Sequence, residues 1–309
     1  MTNSKVYSVI IPVKDEAQSL PQLHRELHSV MTRLKSPYEL LFIDDGSTDH
    51  SNQVIRSLQK KNSAVRLITF RANFGKSAAL SAGFNLARGS VIITLDADLQ
   101  DDPRDIPGLL SVLDKGYDLV CGWRKRRNDT FTKKVSSYLF NHGTALLTGI
   151  KLHDVNCGLK VLNKQVAEEL YIHGELHRFL PILAVKRKFQ VTEAPTHHRP
   201  RQFGKSKYGL ERSWRGIVDL LTTIFLSDYA GKPAHFFGKI GLTFFTAGFI
   251  MDLYVSYLRL STGSTQGRIP LLLAGILFIV LGVQLMSTGL IAEMIIHRGS
   301  KQDDSYWVK

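Results

Sequence analysis

The pattern of hydrophobic positions changes about three quarters of the way along this 309-residue chain. Up to about residue 232, short apolar runs of strand length alternate with longer segments in which apolar residues recur at helical spacing. The runs read YSVIIP, ELLFID, VRLITF, SVIITLD and DLVCG. Apolar strands separated by helices are typical of a mostly parallel sheet with both faces covered, so the pattern predicts an α/β domain.

Three of the intervening segments predict helices, over residues 20–35, 50–61 and 76–87, and we expect Gly89 to cap the last of them. In sheets of this kind, ligands bind at the carboxyl ends of the strands, near a switch in strand order. The residues that directly follow each apolar run are therefore the first candidates for chemistry.

Two long apolar stretches follow, at about residues 236–258 and 269–296. The centre of the second is apolar apart from Gln284, and at about 1.5 Å per residue it would span roughly 30 Å, the thickness of a bilayer core. The first contains Asp252 and is the weaker signal, and a buried helical hairpin is the alternative for both. We predict two transmembrane helices within a membrane domain of residues 233–309.

The expected topology places the large domain and both termini in the cytoplasm. The apolar run before Pro12 is too short for a signal peptide, and a short loop joins the two apolar stretches, so the C-terminus returns to the side of the large domain. Basic residues flank the stretches on that side, in line with the positive-inside tendency: Arg212, Arg215, Lys232, Lys239, His297, Arg298 and Lys301. We therefore expect a bacterial-type inner-membrane protein, with Cys121 and Cys157 as reduced thiols.

Between the two regions, residues 209–232 mix Trp214 and arginines with apolar residues at helical spacing. This pattern favours an amphipathic helix in the membrane interface, with the tryptophan at headgroup depth. An ordinary core helix is the alternative. The predicted order is then a soluble domain over residues 1–208, this interfacial helix, and the membrane domain.

Charge narrows the class of partner. The formal net charge is +13, and basic residues cluster at Trp123–Lys134 and Arg199–Arg215. Nucleic acid, anionic lipid and phosphorylated substrates all attract such clusters. No nucleic-acid fold signature accompanies them, so the membrane and phosphorylated small molecules are the expected partners. A homo-oligomer is left open.

Acidic clusters follow three of the apolar runs. They lie at Pro12–Glu16, at Asp44–Asp49 and in TLDADLQDDP, which contains Asp96 and Asp98. Each alone fits turn and helix-cap chemistry, but three at one sheet edge indicate a ligand site. Alternation along a strand would place Asp96 and Asp98 on one face, as a pair of ligands suited to Mg²⁺ or Mn²⁺. Such an ion would neutralise charge growing on a nucleoside-diphosphate leaving group. The glycine motifs of dinucleotide-binding and P-loop proteins are missing.

Together these motifs resemble glycosyltransferase family 2, whose members carry [IV]-P-x-x-[ND]-E, D-D-x-S-x-D and D-x-D in this order. DADLQDDP, DVNCGLKVL and RPRQFGKSKYG are similar to the polyprenyl-phosphate subgroup, which includes dolichyl-phosphate mannose synthase and bacterial undecaprenyl-phosphate glucosyltransferase. The resemblance covers residues 6 to about 210 and, with the helix pair, nearly the whole chain. It implies a Rossmann-like nucleotide-sugar transferase fold of the GT-A type.

The resemblance also implies roles for individual residues. The implied contacts to the nucleotide sugar are Pro12, Lys14, Glu16, Ile43, Asp45, Lys76 and Asp96. The implied metal ligands are Asp96, Asp98 and Gln100, and the implied phosphate or lipid-phosphate contacts are Arg124, Lys133, Ser137, Arg201 and Lys207. The implied catalytic residues are Asp98, Arg124, Arg201 and Asp154. Asp154 has an alternative role, holding a nearby arginine or capping a turn. Lys14 departs from the family, which often has an aromatic residue there, so the choice of base stays open.

The chemistry of the acceptor favours a phosphate. A sugar hydroxyl acceptor needs a general base, and HGELHRFLP contains Glu175 but lacks the Glu-Asp pair of relatives that use one. A phosphomonoester is already largely ionised at neutral pH and needs cationic contacts instead. We therefore predict an inverting, metal-dependent enzyme that moves a hexose from a nucleotide sugar, first UDP-glucose, to polyprenyl phosphate.

Three alternatives are open at this point. The donor could be UDP-GlcNAc or GDP-mannose. A processive polysaccharide synthase would carry Q-x-x-R-W and more membrane helices, whereas this chain has ERSWRG. A catalytically inactive membrane scaffold is disfavoured by the intact Asp96, Asp98 and Gln100. Asp101 and Asp102 are predicted to be turn and cap residues rather than part of the chemistry.

Overall fold

The computed structural model describes residues 5–125, 152–170, 172, 176–200, 202–203, 232–264 and 267–299. The chain divides into two compact units, Met1–Thr223 and Ile224–Lys309, which are described separately. The predicted interfacial helix lies outside the described residues, apart from Lys232.

The first unit alternates strands and helices, as the hydrophobic pattern predicts. Its strands are β1 (Tyr7–Val13), β2 (Tyr38–Asp44), β3 (Val65–Thr69), β4 (Val91–Thr94), β5 (Leu119–Arg124), β6 (Lys160–Asn163) and β7 (Val191–Thr196). Its α-helices are α1 (Leu20–Arg33), α2 (Ser51–Lys61), α3 (Lys76–Leu86), α4 (Ile106–Leu113), α5 (Lys164–Glu169) and α6 (Leu180–Lys186). Short 3-10 turns cover Pro103–Asp105 and Leu176–Phe179.

Within the described residues, these strands form one seven-stranded sheet in the order β3-β2-β1-β4-β6-β5-β7. The pairs of β1 with β2 and β4, of β2 with β3, and of β5 with β7 are parallel. Of the seven strands that the structure describes, only β6 runs antiparallel to its neighbours, β4 and β5. The predicted α/β fold with a mostly parallel sheet is therefore confirmed, and the acidic segments after β1, β2 and β4 leave the sheet at one edge.

The core explains why the central strands read as almost continuous apolar runs. Both faces of β1 are covered, so that Ile10 and Ile11, which point to opposite faces, are both fully buried. Helix α3 packs very closely on this strand, because a Cβ at Gly83 would lie 2.4 Å from a methyl carbon of Ile10. A side chain at position 83 would force the helix away from the sheet.

The prediction that Gly89 caps α3 is wrong. The helix ends at Leu86 with Ala87 in an extended conformation, and Gly89 has no positive φ. A Cβ at Gly89 would instead lie 2.6 Å from the carbonyl oxygen of Val6. The glycine is needed for close passage over the start of β1.

The second unit is a pair of long helices, α7 (Pro233–Thr262) and α8 (Ile269–Gly299). By length and composition, both are long and apolar enough to cross a membrane. Their backbones touch at glycines, since a Cβ at Gly248 would lie 2.4 Å from the carbonyl oxygen of Gly275. The predicted helix pair is present, and both helices extend beyond the predicted apolar stretches.

Candidate active site

The loops after β1 and β2 interlock through their acidic residues. The Asp15 carboxylate accepts a 2.7 Å hydrogen bond from the Thr48 amide, and the Asp15 amide donates to the Ser47 hydroxyl at 3.0 Å. The Lys14 ammonium donates to the carbonyl oxygen of Gly46. The backbone amide of Glu16, four residues before α1, donates a hydrogen bond to the Ser51 hydroxyl. Two of the predicted nucleotide contacts, Lys14 and Glu16, therefore lie in a loop that is hydrogen-bonded to the loop after β2.

Asp45 organises the third loop. Its two carboxylate oxygens accept hydrogen bonds from the amides of Phe74 and Gly75, at 2.7 and 2.9 Å. The side chain of Asp45 is buried, and so is that of Ile43, two residues earlier in the chain. Asp45 thus fixes the backbone that leads into α3 and places Lys76 at the first position of that helix.

Lys76 and Asp96 form an ion pair at the carboxyl end of β4. The ammonium lies 2.5 Å from Oδ1 of Asp96. Burial alone would raise the pKa of Asp96, but Lys76 outweighs it and holds the pKa below its ordinary value. Asp96 is consequently a carboxylate that already has a cation against it.

Asp96 and Asp98 lie on a turn rather than on one face of a strand, so that part of the sequence argument is wrong. The ladder between β1 and β4 ends at Thr94, and Leu99 has φ of 61° with its side chain fully buried. The turn is closed locally, since Asp98 accepts a 3.1 Å hydrogen bond from the Gln100 amide. Asp96 and Asp98 therefore lie in the turn that follows the carboxyl end of β4, beside the buried Leu99.

Asp101 belongs to the same cluster, which sequence reasoning missed. A Cβ built on Gly158 would lie 2.7 Å from Oδ2 of Asp96 and 2.8 Å from Oδ2 of Asp101, so both carboxyl groups converge on this glycine. Burial, followed by the charge of Asp96, raises the pKa of Asp101 to about 7. The signal for this cluster in the sequence was Gly158, because two carboxyl groups that pack closely against this position leave no room for a side chain.

The predicted metal ligands fit a hard divalent cation. Among the described residues, no three His, Cys, Asp or Glu side chains form a complete cation site. Carboxylate and amide oxygens, as Asp96, Asp98 and Gln100 carry, are the ligands that such an ion takes together with water and phosphate, and the role of these three residues as ligands stays a prediction. The position of the Lys76 ammonium against Asp96 shows that this carboxylate accommodates a cation.

Arg124 and Asp154 form a bidentate ion pair at the end of β5. Nε and Nη2 of the arginine lie 2.6 and 3.0 Å from the two carboxylate oxygens. Burial alone would lower the pKa of Arg124, but the hydrogen bonds that it donates to Asp154 raise the pKa above its ordinary value. Asp154 therefore holds an arginine, the alternative that the sequence left open, while a direct chemical role for it stays a prediction.

The other predicted phosphate contacts cannot be placed in the same way. Lys133, Ser137, Arg201 and Lys207 lie outside the described residues. Their roles stay predictions.

His177 is a further residue of this region that the sequence did not single out. Its Nδ1 lies 2.8 Å from the Ser77 hydroxyl, and it lines a narrow cleft together with Lys76, Asp96 and Lys160. Burial and the nearby Lys76 lower the pKa of His177 well below its usual value, so the imidazole is neutral. It ties the segment after α5 to the start of α3.

These features define a class of protein. The first unit is a mostly parallel α/β sheet whose strand ends carry an acidic turn, a lysine and a buried arginine, in agreement with the GT-A-like fold that the sequence motifs imply. Residues 8–171 match the model of the family described as Glycosyl transferase family 2. The chain belongs to this family and is a glycosyltransferase.

One relative matches over almost the whole chain. It is the dodecaprenyl-phosphate galacturonate synthase of Rhizobium johnstonii, which is 36% identical over 303 residues, covering 96% of this chain and 90% of the relative. The similarity therefore includes the region of the two long helices.

Solved structures support the fold. Glucosyl-3-phosphoglycerate synthase from Mycobacterium tuberculosis, in complex with Mn²⁺, UDP and phosphoglyceric acid, is 18% identical with a TM-score of 0.56, over 74% of this chain and 81% of that one. Mannosyl-3-phosphoglycerate synthase from Rubrobacter xylanophilus is 16% identical with a TM-score of 0.56, over 72% and 74%. At these identities the likeness concerns the fold.

Proposed function

We propose that this glycosyltransferase moves a sugar from a uridine-diphosphate donor to polyprenyl phosphate. The observation that carries the proposal is the meeting of opposite charges at Asp101. Burial, followed by the charge of Asp96, raises the pKa of Asp101, whereas the Arg124 guanidinium lowers it, so the acidic turn and Arg124 both act on this carboxyl group. Transfer between two phosphorylated substrates requires both a site for a cation and a positive group for a phosphate. The acidic turn suits the first requirement, and the buried arginine suits the second.

The acceptor is inferred from the relative and from the basic groups. The name of the 36% identical relative specifies a polyprenyl phosphate, and the similarity covers the helix pair as well as the first unit. Two helices able to cross a membrane would keep the enzyme where a lipid phosphate is available. We place the first unit and both termini on the cytoplasmic side, as the flanking basic residues predict.

The donor is inferred as a uridine nucleotide because solved structures of this fold contain UDP with Mn²⁺. UDP-glucose is the donor that the sequence predicts. The relative's name specifies galacturonate, so UDP-galacturonate is the second donor to test.

The residues of this chain divide the work between donor and acceptor. In this proposal Lys14, Glu16 and Asp45 shape the surface for the nucleotide, and Lys76, which pairs with Asp96, contacts the diphosphate. Arg124, oriented by Asp154, binds and aligns the acceptor phosphate, with Arg201 as the second predicted contact. The ionised phosphate oxygen attacks the anomeric carbon from the face opposite the diphosphate, so the configuration inverts and no protein base is needed.

Asp96, Asp98 and Gln100 would hold Mg²⁺ or Mn²⁺. When bound, the ion supplies charge stabilisation to the departing diphosphate. In its absence Lys76 offsets the charge of Asp96.

A donor panel tests this proposal. Full-length protein in detergent is mixed with polyprenyl phosphate, Mn²⁺ and one labelled donor at a time: UDP-glucose, UDP-galacturonate, UDP-GlcNAc or GDP-mannose. We expect label in the organic phase with one uridine donor. Transfer only from GDP-mannose would refute the uridine assignment, and transfer from no donor would refute the proposed function.

A further inference from the structure

We propose that Arg199 is a positioning residue that holds the acidic turn against the segment after β7. This inference rests on the proposed function, because the acidic turn carries the proposed metal ligands and the segment leads to a predicted phosphate contact. Arg199 would then set the relative position of the two substrates without touching either.

The main chains of the two segments are joined directly. Beyond the end of β7 at Thr196, His198 forms an isolated antiparallel bridge with Asp101. The amide of Arg199 donates a 2.8 Å hydrogen bond to the carbonyl oxygen of Gln100. The backbone of one proposed metal ligand is therefore paired with the segment that follows β7.

The guanidinium of Arg199 reinforces this main-chain connection, which we call the junction, by pairing with two carboxylates. Nη2 lies 2.6 Å from Oδ1 of Asp102, and Nη1 lies 2.8 Å from Oε2 of Glu26 on α1. The Asp102 side chain is 2% exposed and that of Arg199 is 19% exposed, so the contact is largely shielded from solvent. One side chain thus links three parts of the fold, namely α1, the acidic turn and the segment after β7.

His197 makes a second tether to the same region. Its amide donates to the Asp105 carboxylate at 2.7 Å, and its Nδ1 lies 2.8 Å from the other oxygen. The imidazole is 82% exposed, so this contact is weaker than the Arg199 junction. Arg199 is therefore the main link.

The consequence for the reaction follows from chain length. Arg201 comes two residues after Arg199, and because consecutive Cα atoms are about 3.8 Å apart, the two Cα atoms are at most about 7 Å apart. We therefore expect the loss of the Arg199 junction to weaken the contribution of the predicted phosphate contact that follows it in the chain. A misplacement of about 1 Å can lower the rate of a reaction between two bound substrates about 100-fold.

Arg104 provides a matched control. It pairs with the same carboxylate, with Nη2 2.6 Å from Oδ2 of Asp102, but its side chain is 76% exposed and follows Asp102 by only two residues. Arg104→Gln therefore removes one guanidinium from Asp102 and keeps the junction, whereas Arg199→Gln removes the junction itself.

The test compares Arg199→Gln, Arg199→Lys and Arg104→Gln in full-length protein. We expect Arg199→Gln to lower kcat/KM for polyprenyl phosphate at least tenfold and to raise the Mn²⁺ concentration for half-maximal rate at least fivefold. Arg199→Lys should recover part of both losses, and Arg104→Gln should stay within twofold of wild type. Equal effects of Arg199→Gln and Arg104→Gln, or unchanged kinetics in a folded Arg199→Gln protein, would overturn the proposal.

Hydrogen–deuterium exchange gives a readout that does not depend on turnover. In Arg199→Gln, peptides covering residues 98–102 and 196–199 should both exchange faster, while Arg104→Gln should leave residues 196–199 unchanged. Unchanged exchange in Arg199→Gln would refute the junction even if wild-type protein transfers sugar. If exchange responds as expected and wild-type protein transfers none, the junction is supported and the proposed function alone has failed.

Discussion

Asp154 binds the guanidinium of Arg124 with both of its carboxylate oxygens, and the pair is largely buried. The Asp154 side chain is 1% exposed and that of Arg124 is 17% exposed. The pair uses two of the five N–H donors of the guanidinium, and its planar geometry fixes the direction of the others. Under the proposed function, Arg124 uses these remaining donors to contact the acceptor phosphate.

Removing Asp154 should release that arginine. We expect Asp154→Ala to destabilise the protein by about 3–5 kcal/mol, the usual cost of leaving a buried charge without its partner. The KM for polyprenyl phosphate should rise at least tenfold, because Arg124 loses its orientation. Melting temperature and steady-state kinetics measure the two effects. Asp114→Asn serves as control, since its pair with Lys5 is exposed and worth at most about 1 kcal/mol. Unchanged acceptor KM in Asp154→Ala would contradict the orienting role.

Gly158 should not tolerate a side chain. In Gly158→Ala the new methyl group would lie within 3 Å of both Asp96 and Asp101, so the two carboxyl groups must separate. We expect at least a hundredfold loss of kcat, measured by sugar transfer. Gly108→Ala in α4 is the control, because nothing lies within 4 Å of its Cβ position. It should keep full activity and gain up to about 1 kcal/mol of stability from higher helix propensity. Full activity in Gly158→Ala would show that the cluster is not part of the reaction.

Asp98 should be needed for transfer but not for folding. Asp98→Asn removes the charge of a proposed metal ligand, while an amide oxygen can still accept the 3.1 Å hydrogen bond from Gln100. We expect transfer to be abolished with little change in melting temperature, and a chelator to do the same to wild-type protein until Mg²⁺ or Mn²⁺ is added. Activity retained in Asp98→Asn, or with the chelator present, would refute the metal assignment.

Asp101 should make the stability of the metal-free protein depend on pH. Its pKa is raised from 3.8 to about 7, so between these values the folded chain keeps a proton that the unfolded chain has released. Folding takes up a proton in this window, and stability therefore falls as the pH rises from about 4 to 7. Asp101→Asn removes this pH-dependent contribution to stability. The melting temperature of Asp101→Asn relative to wild type should increase over that range in the presence of chelator and level off above it. A constant difference across the range would contradict the raised pKa.

Much of the sheet could be predicted from the sequence because its central strands are buried on both faces. Such strands read as unbroken apolar runs, and β1 to β5 were all found in this way. Strands β6 and β7 were missed. The first has only four residues, KVLN, and the second, VTEAPT, is largely half-buried and mixes polar residues with a proline. Neither presents an apolar run long enough to recognise.

The candidate site was predictable where a residue type carries its chemistry in the sequence, as with Asp96 and Asp98. It was not predictable where a role depends on distant packing. The sequence left open that Asp154 holds an arginine, but its partner Arg124 lies 30 positions away and was not identified. The convergence of Asp96 and Asp101 on Gly158 likewise depends on how β6 enters the sheet. The turn itself was misassigned to a strand because the local pattern does not show that the ladder ends at Thr94.

The central claim is that a lipid phosphate accepts the sugar directly. The most direct measurement compares polyprenyl phosphate with unphosphorylated polyprenol as acceptor, using full-length protein, Mn²⁺ and the labelled donor selected by the panel. We predict label in the lipid fraction only with polyprenyl phosphate, as a product with inverted anomeric configuration, and none with Asp98→Asn. Equal labelling of polyprenol, or labelled lipid formed by Asp98→Asn at the wild-type rate, would contradict this account.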